Sequence, residues 1–495
     1  MTAQVAVVKT ASANYCEDAP FHPSEIFPEN PFGENFSAVP NPAYQAVRKL
    51  FVELGYDHEN YGTRQWNPLK ILISPGMTVV LKPNFVRSWH AERKNSYSMI
   101  THPSVLRAVA DFCLIALEGK GKIIIADAPQ YDGNWSELLE LTKLDEVAEF
   151  YRANSEVEFE IRDLRPYWSR KRHFPSMVEP LNGDSQGTLK VNLGPESNLS
   201  SHERPDKLYG AVYHRQETVL NHTGEKQIYE VSRTVMEADV VISIPKLKTH
   251  KKVGVTMNVK GLVGICTNKN LIVHYTLGKP SEGGDQFPPN HFTPMEERLI
   301  KTERWMYDTF LAKQSVPLEY VHRSIYWLHG KFIKPFGIGV DKKKRLLDVG
   351  NWYGNDSAWR MAADLLKLFL FSDRAGKLQK TQQRRVFSII DGIVGGENKG
   401  PLEPDPKESK VLLASENLLA ADIVGTRLMG FDPLKIKMFT SLMNENDWDY
   451  GVKELSDIEI KTSVEEWKNC LTDRENKFLD YKPYPGWIDF IEIKN

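Results

Sequence analysis

EADVVISIPKLKTHKKVGVTMNVKGLVG, residues 237–264, is the stretch whose reading decides the fold of this chain. Its opening, 239–244, is a β-branched run apolar on both faces, the pattern of a strand buried in a parallel sheet. Pro245 closes the run. If extended geometry continues past it, Lys246, Lys248 and His250 fall on one face, because side chains alternate along a strand. Open α/β sheets bind ligands at the carboxyl ends of their strands, so this segment delivers two ammonium groups and an imidazole to such a place. Gly254, Gly261 and Gly264 let backbone approach a ligand closely, and Thr256, Asn258 and Lys260 add polar donors. Cations for charge, with backbone N–H groups for direction, suit a carboxylate or phosphate. The competing reading is a solvated basic loop. A run launched from a buried strand and interleaved with Gly and Thr favours the site.

Working outward, the same kind of run recurs at 5–8, 78–82, 122–127, 157–162, 385–391 and 411–415. Between these lie amphipathic stretches at 42–54, 103–117, 136–151, 357–371 and 417–429. The second starts at Pro103 and ends before Gly119 and Gly121, and the last has Asn417 as its cap and Gly430 beyond it. Alternating strands and helices predict a layered α/β fold, with a mostly parallel sheet flanked by helices. Residues 1–164 and 346–495 read as the N- and C-terminal parts of that core, with 227–278 as its central segment. Two stretches interrupt it. One is the polar 165–226. The other is 279–345, rich in aromatics and ending in the basic run DKKKR. Both are expected to be insertions or lids. Trp327, Phe332, Ile333 and Phe336, beside Lys331 and Lys334, suit an insertion packed on its own domain, with contact to a membrane surface as the alternative.

The 63 basic and 65 acidic side chains leave a net charge of −2, so no global field favours nucleic acid, and any anion site must be a local cluster. No apolar run approaches the ~20 residues of a membrane span. The N-terminus lacks the features of a signal peptide and reads as a first strand. Cys16, Cys113, Cys266 and Cys470 are scattered, with no C-x-x-C pair, which speaks for a reducing compartment, the cytoplasm, and against a zinc ribbon or iron–sulfur run. Cys113 belongs to the apolar stripe of its helix. Cys266 comes soon enough after the basic segment to be watched, with burial as its competing reading.

Further candidates sit at strand ends. VVLKPNFV offers Lys82 and Asn84, and ITHPSVLRAV places Thr101 and His102 before a helix, where an anion is welcome. KIIIADAPQ ends on Asp127, placed for a hydroxyl or a metal. LIVHYTLGKPSEGGD brings His274 and Asp285. With His250 these form a candidate set of ligands for a divalent metal, or the two histidines carry protons. FSIIDGIVGGENKGP places Asp391 and Glu397 in a Gly-rich turn, suited to a general base. Trp352, Tyr353 and Trp359 offer flat faces for stacking or for a core, and Asp422 is a polar residue on an apolar helix, placed to orient a Lys or Arg.

In order along the chain, ADVVISIPKLKTH, VTMNVKGLVG, HYTLGKPSEGGD, GNWYGND and DGIVGGENKGP resemble the hallmark motifs of the domain of unknown function 362 family, from about Thr78 to Pro433. The resemblance implies a cytoplasmic protein of prokaryotic type. Some members carry ferredoxin-like cysteine motifs; this chain has none. A remote similarity to the nickel-dependent lactate racemase superfamily implies lysine and histidine working around a carboxylate. The expectation is an enzyme, an isomerase or an oxidoreductase, for a small carboxylate, phosphate or sugar-linked substrate. Lys82, Asn84, Thr101, His102, Asp127, Lys246, Thr256 and Lys260 would bind it. Lys248, His250, His274, Asp391 and Glu397 would do the chemistry. Two alternatives stay open: a metal- or iron–sulfur-associated electron-transfer protein, and a non-catalytic module for a glycan or protein partner.

Overall fold

A strand apolar on both faces needs cover above and below. In the computed structural model, which describes residues 2–33, 35–170, 177–212, 214–313, 315–328, 331 and 339–493, that cover is present. Ten strands form the central sheet: β1 (Ala3–Lys9), β2 (Thr78–Pro83), β3 (Lys122–Asp127), β4 (Glu158–Asp163), β5 (Val240–Ile244), β6 (Lys246–His250), β7 (Gly254–Val255), β8 (Arg385–Glu397), β9 (Asp405–Ser415) and β10 (Ile458–Lys461). The order is β10-β1-β9-β8-β5-β2-β3-β4, with β6 continuing β5 alongside the far half of β8, and β7 paired on β6. Along that order the pairings are parallel except where β9 meets β1 and β8. The fold is therefore the expected layered α/β sandwich with a mostly parallel sheet.

Alternation explains the continuous apolar runs. Val79, Leu81, Ile123, Ile125, Val240 and Ile242 point to one face and pack with α1 (Pro42–Glu53), α2 (Pro103–Leu117) and α3 (Leu144–Asn154). Val80, Ile124 and Val241 point to the other and pack with α4 (Ala358–Phe371) and α5 (Leu418–Leu428). β2, β3 and β5 lose water from both sides, at roughly 25 cal/mol per Å² of apolar surface.

All seven apolar runs became strands of this one sheet. The stretch 136–151 differs from expectation. It is two helices, Trp135–Thr142 and α3, broken at Lys143, which has φ +50°. The polar stretch 165–226 is tied into the core. Its strand Thr188–Asn192 pairs with Ile228–Ser232, and Leu189 and Val191 are buried on one sheet face. The stretch 279–345 contributes helices Pro294–Met306 and Val316–Leu328. Trp327 is exposed; Phe332, Ile333, Lys334 and Phe336 lie outside the described residues. No described helix is long and apolar enough to cross a membrane.

One topological fact positions the site. From β2 the chain crosses through α2 to β3, whereas β5 and its continuation lead to β8 on the opposite side. Connections diverge between neighbouring β2 and β5, the crevice where open α/β sheets bind ligands.

Candidate functional site

A cleft of about 270 Å³ opens at that crevice. Its walls carry Lys82, Lys248, Lys251, Lys252, Lys260, Lys269 and Arg304 against only Asp127 and Asp132, with His250, His274 and Thr256 among them. A positive excess of this size in a buried space is costly without an anion to answer it.

The floor comes from the strand ends. Lys82 Nζ lies 3.1 Å from Asp127 Oδ1, both side chains almost wholly buried, and donates to Pro83 O at 2.7 Å and Asn84 Oδ1 at 3.1 Å. The other oxygen of Asp127 accepts from Phe85 N at 2.9 Å. Gly264 lies directly on this pair. A methyl group there would stand 2.5 Å from Lys82 Nζ and closer still to Asp127 Oδ1, so the glycine is required by the close approach.

The second wall is β6 and the turn after it. Lys248 donates to Met99 O at 2.6 Å. Burial pushes its ammonium well below the usual lysine range, and the charges of Lys246 and Lys82 push it further. His250 Nδ1 accepts from Lys252 N at 3.0 Å, which leaves the ring proton on Nε2. Burial lowers His250 well below the usual histidine range, and the facing Lys260 adds to this. Lys252 is also held well down, by burial and then by Lys251, and its ammonium contacts Val349 O and Asn351 Oδ1.

The third wall is the turn Asn258–Gly261 with the chain beyond it, as far as Thr276. Asp422 of α5 anchors the turn, accepting from Asn258 N at 2.9 Å, Val259 N at 2.9 Å and Asn258 Nδ2 at 2.7 Å. Asp422 thus holds backbone amides rather than the Lys or Arg expected of it, and burial raises its carboxyl to about 7. Met257 enters the turn at φ +74°, a conformation L-residues rarely adopt. Lys260 projects from this anchored turn with its ammonium lowered to about 7 by burial. Lys269 is lowered to about 8 by burial and donates to Val263 O at 2.7 Å and Ala128 O at 2.9 Å. His274, from the strand Val273–Thr276, is lowered well below its usual range by burial and next by Lys260. The buried hydroxyls of Thr256 and Tyr275, both on the cleft, have no hydrogen-bond partner among the described residues. Buried polar groups are normally satisfied, which sets these two hydroxyls apart from the hydrogen-bonded lysines of the cleft wall.

The structure thus gathers Lys82, Asn84, Asp127, Lys248, His250, Thr256, Lys260 and His274 around one cleft. It does not bring the other candidates there. Lys246 turns into a separate closed cluster, its ammonium 2.7 Å from Asp391 Oδ2 and 2.9 Å from the Tyr15 hydroxyl, with both charged side chains fully buried. His102 stacks on Tyr15 at 3.9 Å and donates its backbone N–H to Asp391 at 3.0 Å. Its ring caps α2, and Thr101 bridges Ile244 O and Asn84 N. Asp391 is therefore spent on a buried ion pair instead of a flexible turn, since β8 runs unbroken through the expected Gly-rich loop. Glu397 accepts from Lys482 N at 2.9 Å, outside the cleft. Asp285 is taken up by Thr276 N, Asp356 N and the Ser357 hydroxyl, at 2.6 to 2.8 Å. The His250–His274–Asp285 ligand set does not assemble, and no group of three His, Cys, Asp or Glu placed for a metal occurs among the described residues. Trp352 and Trp359 bond Asp285 O and Asp356 Oδ1, and Tyr353 stacks on Phe490; none of the three lines the cleft. Cys266 is buried, its thiol raised to about 11 by burial. Lys252, Lys269, Tyr275 and Arg304 complete the cleft without having been singled out. Lys252 lies in the basic run itself, and Lys269 comes shortly after it, so a wider window on the same signal reaches both.

The family model described as "Domain of unknown function (DUF362)" matches residues 79–179 and 202–427 of this chain. The thylakoid-associated protein sll1697 of Synechocystis sp. is 25% identical over 207 residues, which cover 42% of this chain and 37% of that protein. The matched region thus spans well under half of that relative's length.

Proposed function

Since the chain belongs to the DUF362 family of unknown function, its own cleft must supply the functional reading, and we propose an enzyme that binds a small anion, a carboxylate or phosphate that can be sugar-linked, and moves a proton beside it. The observation that carries this is that seven lysine and arginine side chains face only two carboxylates in one cleft. Lys82, Lys248 and Lys269 are fastened by carbonyl oxygens and by Asp127, so they present N–H donors from fixed positions. Preorganised charge needs no rearrangement when the ligand arrives. His250 and His274 are both neutral near pH 7; the lone pair of His250 Nδ1 is taken by Lys252 N, so His250 offers a donor from Nε2 and His274 is the group suited to accept a proton beside a bound anion. The reaction class that uses these groups is proton transfer at a carbon next to the anion, an isomerisation or one half of an oxidation–reduction. The four unpaired, buried cysteines support the cytoplasm as its setting.

Lys248→Ala and His250→Ala, made separately, test the reading with phosphate, pyrophosphate and citrate as probes in calorimetric titration. Losing one charge-assisted contact of about 1.5–3 kcal/mol should weaken anion binding on the order of tenfold to a hundredfold in Lys248→Ala. His250→Ala should bind the probes like the parent. A folded Lys248→Ala protein with parental affinity would overturn the assignment.

A further inference from the structure

The lysines of the cleft are not alike. Lys82, Lys248, Lys252 and Lys269 each donate to backbone carbonyl oxygens or side-chain acceptors that hold them in place. The Lys260 amine has no hydrogen bond or ion pair among the described residues, although the residue is only 5% exposed and reaches the cleft. Its backbone is fixed from behind: Asp422 holds the two amides at the start of its turn, and Ser388 donates to Asn258 Oδ1 at 2.9 Å. The amine is thus aimed into the cleft by a rigid base and restrained by nothing at its tip. Both neutral imidazoles, His250 and His274, lie within its electrostatic reach.

We propose that Lys260 is a covalent nucleophile that forms an imine with a small anionic aldehyde or ketone, such as an oxo acid or a sugar phosphate. This rests on the anion-site reading and adds to it a carbonyl in the substrate. The amine lone pair attacks the carbonyl carbon; a C–N bond forms, and the C=O π pair moves to oxygen. The two amine hydrogens then pass to that oxygen, with the His274 imidazole as the relay. The C–O bond breaks, water leaves, and a C=N bond remains. No oxidant or reductant is needed. Protonation of the imine nitrogen by solvent makes the adjacent C–H acidic, and a histidine accepts that proton.

Protonation state supports the role. A lysine held at about 7 is substantially unprotonated at neutral pH, where an exposed lysine is a poor nucleophile. The groups facing it act in known directions. Burial dominates, Lys269 on the next turn lowers it, and the Cys266 thiol acts the other way. Across the cleft stand His250, Lys248, Lys251 and Lys252 from the β6 side, His274 and Tyr275 from their strand, Lys82 with Asp127 at the floor, and Arg304, Asp132, Tyr131 and Tyr209 on the remaining wall.

The test uses the full chain with pyruvate, glyoxylate and dihydroxyacetone phosphate as probes. Cyanoborohydride traps any imine as a stable secondary amine, and peptide mapping locates it. The expected result is a single adduct on Lys260, formed faster as pH rises through about 7, lost in Lys260→Arg and Lys260→Met, and competed away by citrate. Adducts spread over exposed lysines, or none on Lys260 in the parent protein, overturn the proposal whether or not the variants fold. Citrate titration separates the two layers. If citrate binds and no adduct forms, the nucleophile assignment falls and the anion site stands. If citrate fails to bind as well, both fall.

Discussion

Replacing Gly264 with alanine puts one methyl group into the most closely packed point of the cleft. The added carbon would stand 2.5 Å from Lys82 Nζ and 2.8 Å from Lys82 Cε, and nearer still to Asp127 Oδ1. Real carbon contacts do not come this close, so one of two things must move. If the turn carrying Gly264 shifts, the Ala128 N–H to Gly264 O bond of 2.7 Å is strained, and the cost is that of overpacking, about 1–3 kcal/mol. If the ion pair opens, Lys82 and Asp127 stay buried at 2% and 3% exposure without each other, and breaking such a pair costs about 3–5 kcal/mol. The expected loss is therefore about 1–5 kcal/mol depending on which gives way, up to a large share of the stability of a typical domain. Urea unfolding followed by tryptophan fluorescence measures it, with the slope checked to be unchanged. A double-mutant cycle identifies the cause. Asp127→Ala removes the oxygen that the methyl group meets, so Gly264→Ala should cost less in that background, with a coupling of about 0.5–3 kcal/mol. A Gly264→Ala protein within about 0.5 kcal/mol of the parent, or strict additivity with Asp127→Ala, would refute the claim that the glycine exists to admit this pair.

Two further outcomes are expected from the same geometry. Lys260 and Lys269, held at about 7 and about 8, bind fewer protons folded than unfolded from there up to the ordinary lysine range, so stability rises with pH across that window and the charge penalty is full below it; Asp422, held at about 7, acts with the opposite sign but only below the window. The thermal midpoint of the ligand-free protein should climb from about pH 7 to about pH 9, Lys260→Met should flatten that climb, and the gain in midpoint from citrate should shrink over the same range, whereas a flat parent profile contradicts the assignment. Asp391→Asn removes the charge that answers Lys246 at 2.7 Å in a fully buried pair, so it should cost about 3–5 kcal/mol in urea unfolding while the folded protein binds citrate with parental affinity; weakened citrate binding without lost stability would return Asp391 to the site.

How much of this is legible in the sequence depends on how local the physics is. The seven apolar runs are legible because burial on both faces of a strand is written into consecutive residues, and each found its place in one sheet. The direction of β9 is not, because direction belongs to a pair and not to a strand. The half-exposed edge strand β10 has too little apolar pattern to stand out. The site divides the same way. Lys82 and Asp127 stand at strand ends, and strand ends are visible. Lys246 and Lys248 share a face by alternation, yet the pairing of β6 with β8 slips between them, from Lys246 opposite Asp391 to Lys248 opposite Gly396. That slip leaves Lys246 to the carboxylate and Lys248 to the cleft. Alternation states which side a residue takes, and only the partner strand states what it meets there. Lys260 is the limiting case. Its distinction is a missing neighbour, a property of the whole assembled cleft that no spacing of residues encodes. The turn that aims it is fixed by Asp422, 164 residues from Asn258 in sequence. A lysine clamped by a carbonyl has its amine held in one orientation by that bond. One that is buried, aimed and unclamped can turn its lone pair toward a ligand, and the fold distinguishes the two although the residue type does not.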